Sequence, residues 1–346
     1  MASDFKVSVI LPMRNAAEWL PECLKGLLDQ SYQDPFEISI FDDNSTDNSL
    51  HLVESFREQF AARQITLKVT QIKGGGPLGC GFAKNSAIKA SSGEYLCFQD
   101  ADDISHPNRI ELQLQAAMGI PNVLVGSRFF RIPEDSTRRY TSWANRLTPQ
   151  QLYTQIYTAN GPTLIMPTWF CHRSLLQCGG FDETPGVPED LILFYRHLNR
   201  GGSLKRVDEV LVTYRYHSQA TTHSIQQETI WFHRLNRFSS CVLSEWNSFT
   251  IWNAGKQGRR FYRSLDAKLQ KKVVAFCDVD SKKIANGFYI YEESSEVPKP
   301  RVPILHFRDA SPPFVICVKL DLTGGEFEKN LQSLHLIEGK DYYLFS

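Results

Sequence analysis

No window of this chain holds the roughly 18 uninterrupted apolar residues that a membrane-spanning helix needs, so no membrane partner is expected. Charge of one sign is missing too: 38 Lys and Arg balance 38 Asp and Glu, giving a formal charge of zero over 346 residues. No global field steers such a protein toward nucleic acid or an anionic surface, although a local basic patch stays open. The eight cysteines form no CxxC pair and no zinc-like spacing. Several fall in apolar, strand-like runs, which predicts reduced thiols in a cytoplasmic protein. The opening "MASDFKVSVILPMRN" has an apolar stretch too short for a secretory leader and reads as a strand. Internal repeats and low-complexity segments are absent.

What is present is enough apolar material, 42% hydrophobic and 12% aromatic, for substantial cores in one large or two ordinary domains. Over the first hundred residues, strand-like and helix-like runs alternate: "KVSVILP", "AEWLPECLKGLLDQS", "FEISIFDD", "SLHLVESFREQF", "ITLKVTQI", "GFAKNSAIKAS", "EYLCFQD". That alternation predicts a mostly parallel sheet with crossover helices, whose ligands bind at the carboxyl ends of the strands. An irregular segment rich in aromatics, Gly and Pro follows. A shorter alternating unit then begins near residue 250, predicting domains at 1–248 and 249–346.

Acidic residues crowd two of the strand ends. Asp42 and Asp43 close the second strand, and Asp100, Asp102 and Asp103 close the fourth, so both clusters should open on one rim. Three carboxylates within four residues must share protons, find cations or bind a metal. An all-oxygen set with no adjoining His or Cys suits Mg2+ or Mn2+ better than zinc. The competing reading is that Asp102, Asp103 and Ser105 cap a helix begun by "PNRIELQLQAAM".

Read together, "VSVILPMRN", "FDDNSTDNS", "GFAKNSAIKASSGEYLCFQDADD", "GGFDE" and "PEDLILFYRHL" resemble, in order and spacing, the family-2 glycosyltransferases of the GT-A (nucleotide-diphospho-sugar transferase) fold, over about residues 5–220. The resemblance implies an α/β catalytic domain using a UDP-sugar donor. It implies a nucleotide site at Pro12, Arg14, Asn15, Asp42, Asp43 and Asn85, with Arg14 either stacked on the base or simply solvated. Asp102 and Asp103 would hold the metal, with Asp100 adjacent and touching the donor. Arg215 would neutralise the diphosphate, and His217, or His223, would either complete the metal shell or hold a phosphate. Of Glu189 and Asp190 in "PED", the second is implied as the base that takes the acceptor's proton. Trp169 either offers an aromatic face to the acceptor or belongs to the core.

The tail carries "WNAGKQGRRF" and then "VVAFCDVD". This resembles a Rossmann phosphate turn with Asn253, Gly255 and Gly258 in the glycine positions and Asp278 closing the next strand, and it predicts a smaller Rossmann-like α/β domain. Arg259, Arg260 and Arg263, with Lys268, Lys271 and Lys272, form a basic face that either contacts phosphates of an acceptor or is a solvated helix surface. A catalytic domain joined to this tail is similar to animal transferases that modify transfer RNA. That similarity implies UDP-galactose as donor and queuosine at the wobble position of tRNA-Tyr as acceptor, with inversion. The alternatives are a cytosolic UDP-N-acetylglucosamine-dependent transferase acting on a glycan or lipid head group, and a binding module without catalysis.

Overall fold

A computed structural model describes residues 5–72, 74–218 and 225–346, which divide into two compact units. The first takes the residues up to Leu152 together with Pro162–Ile230. Its strands are β1 (Val7–Met13), β2 (Phe36–Asp42), β3 (Ile65–Gln71), β4 (Tyr95–Phe98), β5 (Ile104–Ser105), β6 (Val123–Ile132), β7 (Phe170–His172) and β8 (Ser203–Arg215). They form one sheet in the order β3-β2-β1-β4-β7-β6-β8-β5.

β1 and β2 are buried along nearly their whole length, as strands covered by helices on both faces must be. β1 runs parallel to β2 and to β4, and β2 runs parallel to β3. The expected parallel arrangement therefore holds for the first four strands. Beyond them β7 is antiparallel to both β4 and β6. The strand order reverses between β1 and β4, which places the crevice of this unit at the end of β1 near Met13 and the end of β4 near Phe98.

The second unit takes Tyr153–Gly161 and Trp231–Ser346. It contains β9 (Phe249–Trp252), β10 (Val273–Asp278), β11 (Phe288–Ile290), β12 (Arg301–His306), β13 (Phe314–Ile316) and β14 (Tyr342–Leu344), ordered β11-β12-β10-β9-β13-β14. Without the antiparallel edge strand β11, the remainder is an all-parallel sheet in doubly wound order. The unit begins earlier than residue 249. Phe238, on the helix Gln227–Phe238, packs its ring 4.7 Å from Tyr157 and 5.3 Å from Phe345, and Trp231 lies 5.1 Å from Phe345. This aromatic cluster binds the helix and the 153–161 segment to the second sheet. Among the described residues no helix is long and apolar enough to cross a membrane.

Candidate active site

The acidic loop after β4 is wound around one buried amide. Gln99, fully buried, donates from Nε2 to the carbonyls of Asp100 at 2.8 Å and Asp103 at 2.9 Å. Its Oε1 accepts from Ser105 Oγ and from Arg109 Nη1. Arg109, also fully buried, donates onward to the carbonyls of Phe98 and Pro167. The helix Arg109–Ala117 starts after Asn108 with no side-chain cap. The capping alternative for Asp102, Asp103 and Ser105 is thereby corrected: Ser105 lies in β5, and the carboxylates turn elsewhere.

Where they turn fits a hard cation. One oxygen from each of Asp100, Asp102 and Asp103 lies within 4.8 Å of the others. Asp103 accepts the Arg215 backbone N–H on Oδ1 at 2.9 Å, while its Oδ2 is buried with no partner. His217 Nε2 sits 2.7 Å from Asp102 Oδ2, and its ring stacks on Trp19 at 4.2 Å between centroids. Burial and then the neighbouring Asp102 and Asp100 hold the Asp103 carboxyl well above its ordinary range. Burial pushes Asp100 to about 6, opposed by Lys84 and reinforced by Asp102. Anions this frustrated are relieved by a divalent ion, and an orphaned carboxylate oxygen among oxygen donors and one imidazole is a donor set that Mn2+ or Mg2+ accepts.

A cavity of about 550 Å³ opens beside this loop. Pro12, Arg14, Asn15 and Asp43 line one part, Asp100, Asp102 and His217 another, and Glu189 and Asp190 a third. Asn15 also braces the β2 exit, accepting the Thr46 N–H on Oδ1 at 2.8 Å. Asp43 accepts the N–H groups of Leu78 and Gly79 at 2.8 and 2.9 Å, so it holds the glycine-rich loop over the cavity.

Five expected contacts fall outside the lining, the first being Asp103, which is fully buried in the acidic loop. Asp42 is buried and accepts the Ser45 N–H. Asn85 accepts the Phe181 N–H at 2.9 Å and donates to the Phe181 carbonyl and to Glu183, which makes it a brace for the "GGFDE" loop. Arg215 turns its guanidinium to Glu22. Trp169 is 1% exposed, donates Nε1–H to the Leu164 carbonyl and stacks with Phe181 and Phe194. The acceptor role suggested for Trp169 is therefore corrected: its faces are occupied by core rings. His223 lies outside the described residues.

Glu189 and Asp190 occupy the first turn of the helix Glu189–Asn199, where backbone N–H groups favour negative charge. Their environments separate them. Burial raises the Glu189 carboxyl, but the Lys84 ammonium, 2.8 Å away, outweighs it and holds the carboxyl below its ordinary value. Burial and then the Glu189 charge push Asp190 up to about 6. Two carboxyls driven apart in this way are suited to different tasks. Lys84 was not anticipated from sequence, because a lone Lys on a mixed polar helix reads as solvated.

In the second unit the glycine-poor turn between β9 and the helix Lys256–Ser264 is satisfied by its own neighbours. The Ala254 N–H donates to Asp278 Oδ2 and the Gly255 N–H to Asn253 Oδ1. Asn253 Nδ2 bridges to the Cys317 carbonyl, just past β13, across the place where the strand order reverses. The nearby arginines have internal partners as well. Arg259 donates to the Ala254 carbonyl and lies over Tyr289, Arg260 covers Trp231 at 3.9 Å, and Arg263 sits 3.8 Å from Glu293.

Comparison with known proteins converges on this architecture. An uncharacterized glycosyltransferase of Rickettsia bellii is 27% identical over 216 residues, 60% of this chain and 29% of that protein's length. The chain thus spans less than a third of that relative. S. aureus TarS 1-349, solved in complex with UDP-GlcNAc, superposes with a TM-score of 0.52 at 18% identity, over 82% of this chain and 80% of that one. The mannosyltransferase PcManGT of Pyrobaculum calidifontis, solved with GDP-Man and Mn2+, gives 0.50 at 19% identity, over 64% of this chain and 62% of that one. At such identities the structures attest the GT-A-like fold. The model of Glycosyl transferase family 2 matches residues 8–180, half of the chain, and together with the acidic loop it makes the assignment: the chain belongs to glycosyl transferase family 2.

Proposed function

We propose that this family-2 enzyme moves galactose from UDP-galactose to the cyclopentenediol of queuosine at the wobble position of tRNA-Tyr, with inversion, in the cytoplasm. The observation that carries the chemistry is the placement of Asp190 in the same cavity as Asp100 and Asp102. A single carboxylate poised to accept a proton is what inverting transfer requires.

The uridine end of the donor lies against Pro12, Arg14 and Asn15, and the diphosphate lies toward Asp102 and Asp103. Asp102, Asp103 and His217 would hold Mn2+ or Mg2+, which would supply positive charge against the leaving diphosphate. Asp190 takes the proton from the acceptor hydroxyl as its oxygen attacks the anomeric carbon. The bond from that carbon to the diphosphate oxygen breaks, and UDP leaves. The α-linked donor becomes a β-linked product.

The donor and acceptor identities rest on the similarity of the paired domains to animal tRNA-modifying transferases. Accommodating queuosine does not require a strongly basic chain, because a flipped-out modified base offers its own hydroxyls and ring face for recognition. The TarS complex with UDP-GlcNAc favours a second reading, an N-acetylglucosamine donor with a glycan or lipid acceptor. Mass spectrometry of nucleosides from queuosine-containing tRNA-Tyr, incubated with the protein, Mn2+ and each UDP-sugar separately, decides between them. Hexose on queuosine only with UDP-galactose supports the proposal. No addition by protein that binds UDP overturns the acceptor.

A further inference from the structure

One face of the helix Cys80–Ala90 grips the segment that carries the base. Gly81, Lys84 and Asn85 lie at i, i+3 and i+4, on one side of the helix. A Cβ at position 81 would overlap the Asp182 carbonyl oxygen, so the helix approaches this segment as closely as backbone allows. Asn85 holds both the N–H and the carbonyl of Phe181. Lys84, 3% exposed, places its ammonium 2.8 Å from Glu189 Oε1 and 5.1 Å from the Phe181 ring centroid. Asp190 follows directly in the chain. A buried cation held by one carboxylate, beside a second that lines the same cavity, is a costly arrangement unless it serves the site.

We propose that Lys84 is a positioning residue that assigns the two carboxylates their roles: its ion pair retains Glu189, and Asp190 is left as the carboxylate that receives the acceptor's proton. The inference rests on Asp190 being the base. The opposite directions in which the two carboxyls are shifted agree with it. Without Lys84, Glu189 is a buried anion pressed against Asp190. Without Glu189, the Lys84 ammonium is free to capture Asp190. Each loss alone should therefore be worse than both together.

The test uses the full chain as wild type, Lys84→Met, Glu189→Gln, the double variant and Lys84→Arg. Its readouts are UDP release from UDP-galactose with queuosine-containing tRNA, UDP affinity and the thermal midpoint. Lys84→Met should lose roughly 100-fold in kcat, within the span that general-base catalysis supplies, with UDP affinity unchanged. The double variant should regain about tenfold over Lys84→Met, a non-additivity expected of coupled partners, and Lys84→Arg should retain most turnover. A double variant no better than the poorer single variant overturns the proposal. So does a Lys84→Met effect confined to the KM for UDP-galactose, which would make Lys84 a donor contact. Wild-type protein that releases no UDP speaks against the proposed donor and acceptor instead. The midpoints then decide: Lys84→Met below the double variant supports the ion pair's role, and Lys84→Met at or above the double variant overturns it.

Discussion

His217 and Asp102, 115 residues apart in the chain, meet at 2.7 Å, and the Trp19 ring backs the imidazole. The chain just past β8 thus returns to the acidic loop and contacts one of its carboxylates. Residues that orient a metal ligand commonly alter metal affinity by 10- to 100-fold. Trp19→Ala should weaken Mn2+ binding by about tenfold and His217→Ala by more, read by calorimetric titration in the presence of UDP. Asp102→Ala should abolish UDP release, as should chelation of the wild-type protein.

The same loop is a source of instability in metal-free protein. The Asp100 carboxyl is raised to about 6 and Asp103 is also raised, so between about pH 4 and 6 the folded state binds more protons than the unfolded state. Stability from these groups is greatest below that window and falls as pH rises through it. At pH 7.5 the metal-free Asp100→Asn variant should melt roughly 2–4 °C above wild type, and the gain should shrink toward pH 4.5. Differential scanning calorimetry at both pH values reads this directly. An unchanged midpoint at pH 7.5 would mean that the charges are already relieved.

The second unit has doubly wound order, but Asp278 and Asn253 occupy the turn's own amides. The protein should therefore give no enhancement of NADH fluorescence at millimolar cofactor. Asn253→Ala should loosen the turn and lower the thermal midpoint.

Arg260 stacks on Trp231, a contact of a kind that contributes about 0.5–2 kcal/mol. Arg260→Ala should lower the melting midpoint of the second unit. Arg263, with 36% of its side chain exposed, is the better probe of RNA contact. Arg263→Glu should raise the KM for tRNA several-fold if this face meets the acceptor, and should leave it unchanged if it does not.

Strand alternation in the first hundred residues was enough to predict that the ends of β2 and β4 share a rim, because parallel strands joined by crossovers must present their carboxyl ends together. It could not tell Asp42 from Asp43. Successive strand residues point to opposite faces, and one of the pair turns into the β2 exit while the other reaches the cavity. Trp169 failed as a site residue because an aromatic in a short apolar run looks the same whether it faces a ligand or the core. Lys84 was missed for the converse reason: its burial depends on a segment a hundred residues later in the chain. The early start of the second unit was equally hidden, since it depends on aromatic packing between Tyr157, Phe238 and Phe345 and not on any local composition change.

The most direct test of the central claim is turnover by Asp190→Asn, measured beside its affinity for UDP. The wild-type rate should climb as pH rises through about 6, the value to which the Asp190 carboxyl is pushed. The Asn variant should bind UDP as wild type does while losing 100-fold or more in kcat. An active Asp190→Asn enzyme with an unaltered pH profile would contradict the assignment of the base, and with it the division of labour between the two sides of the cavity.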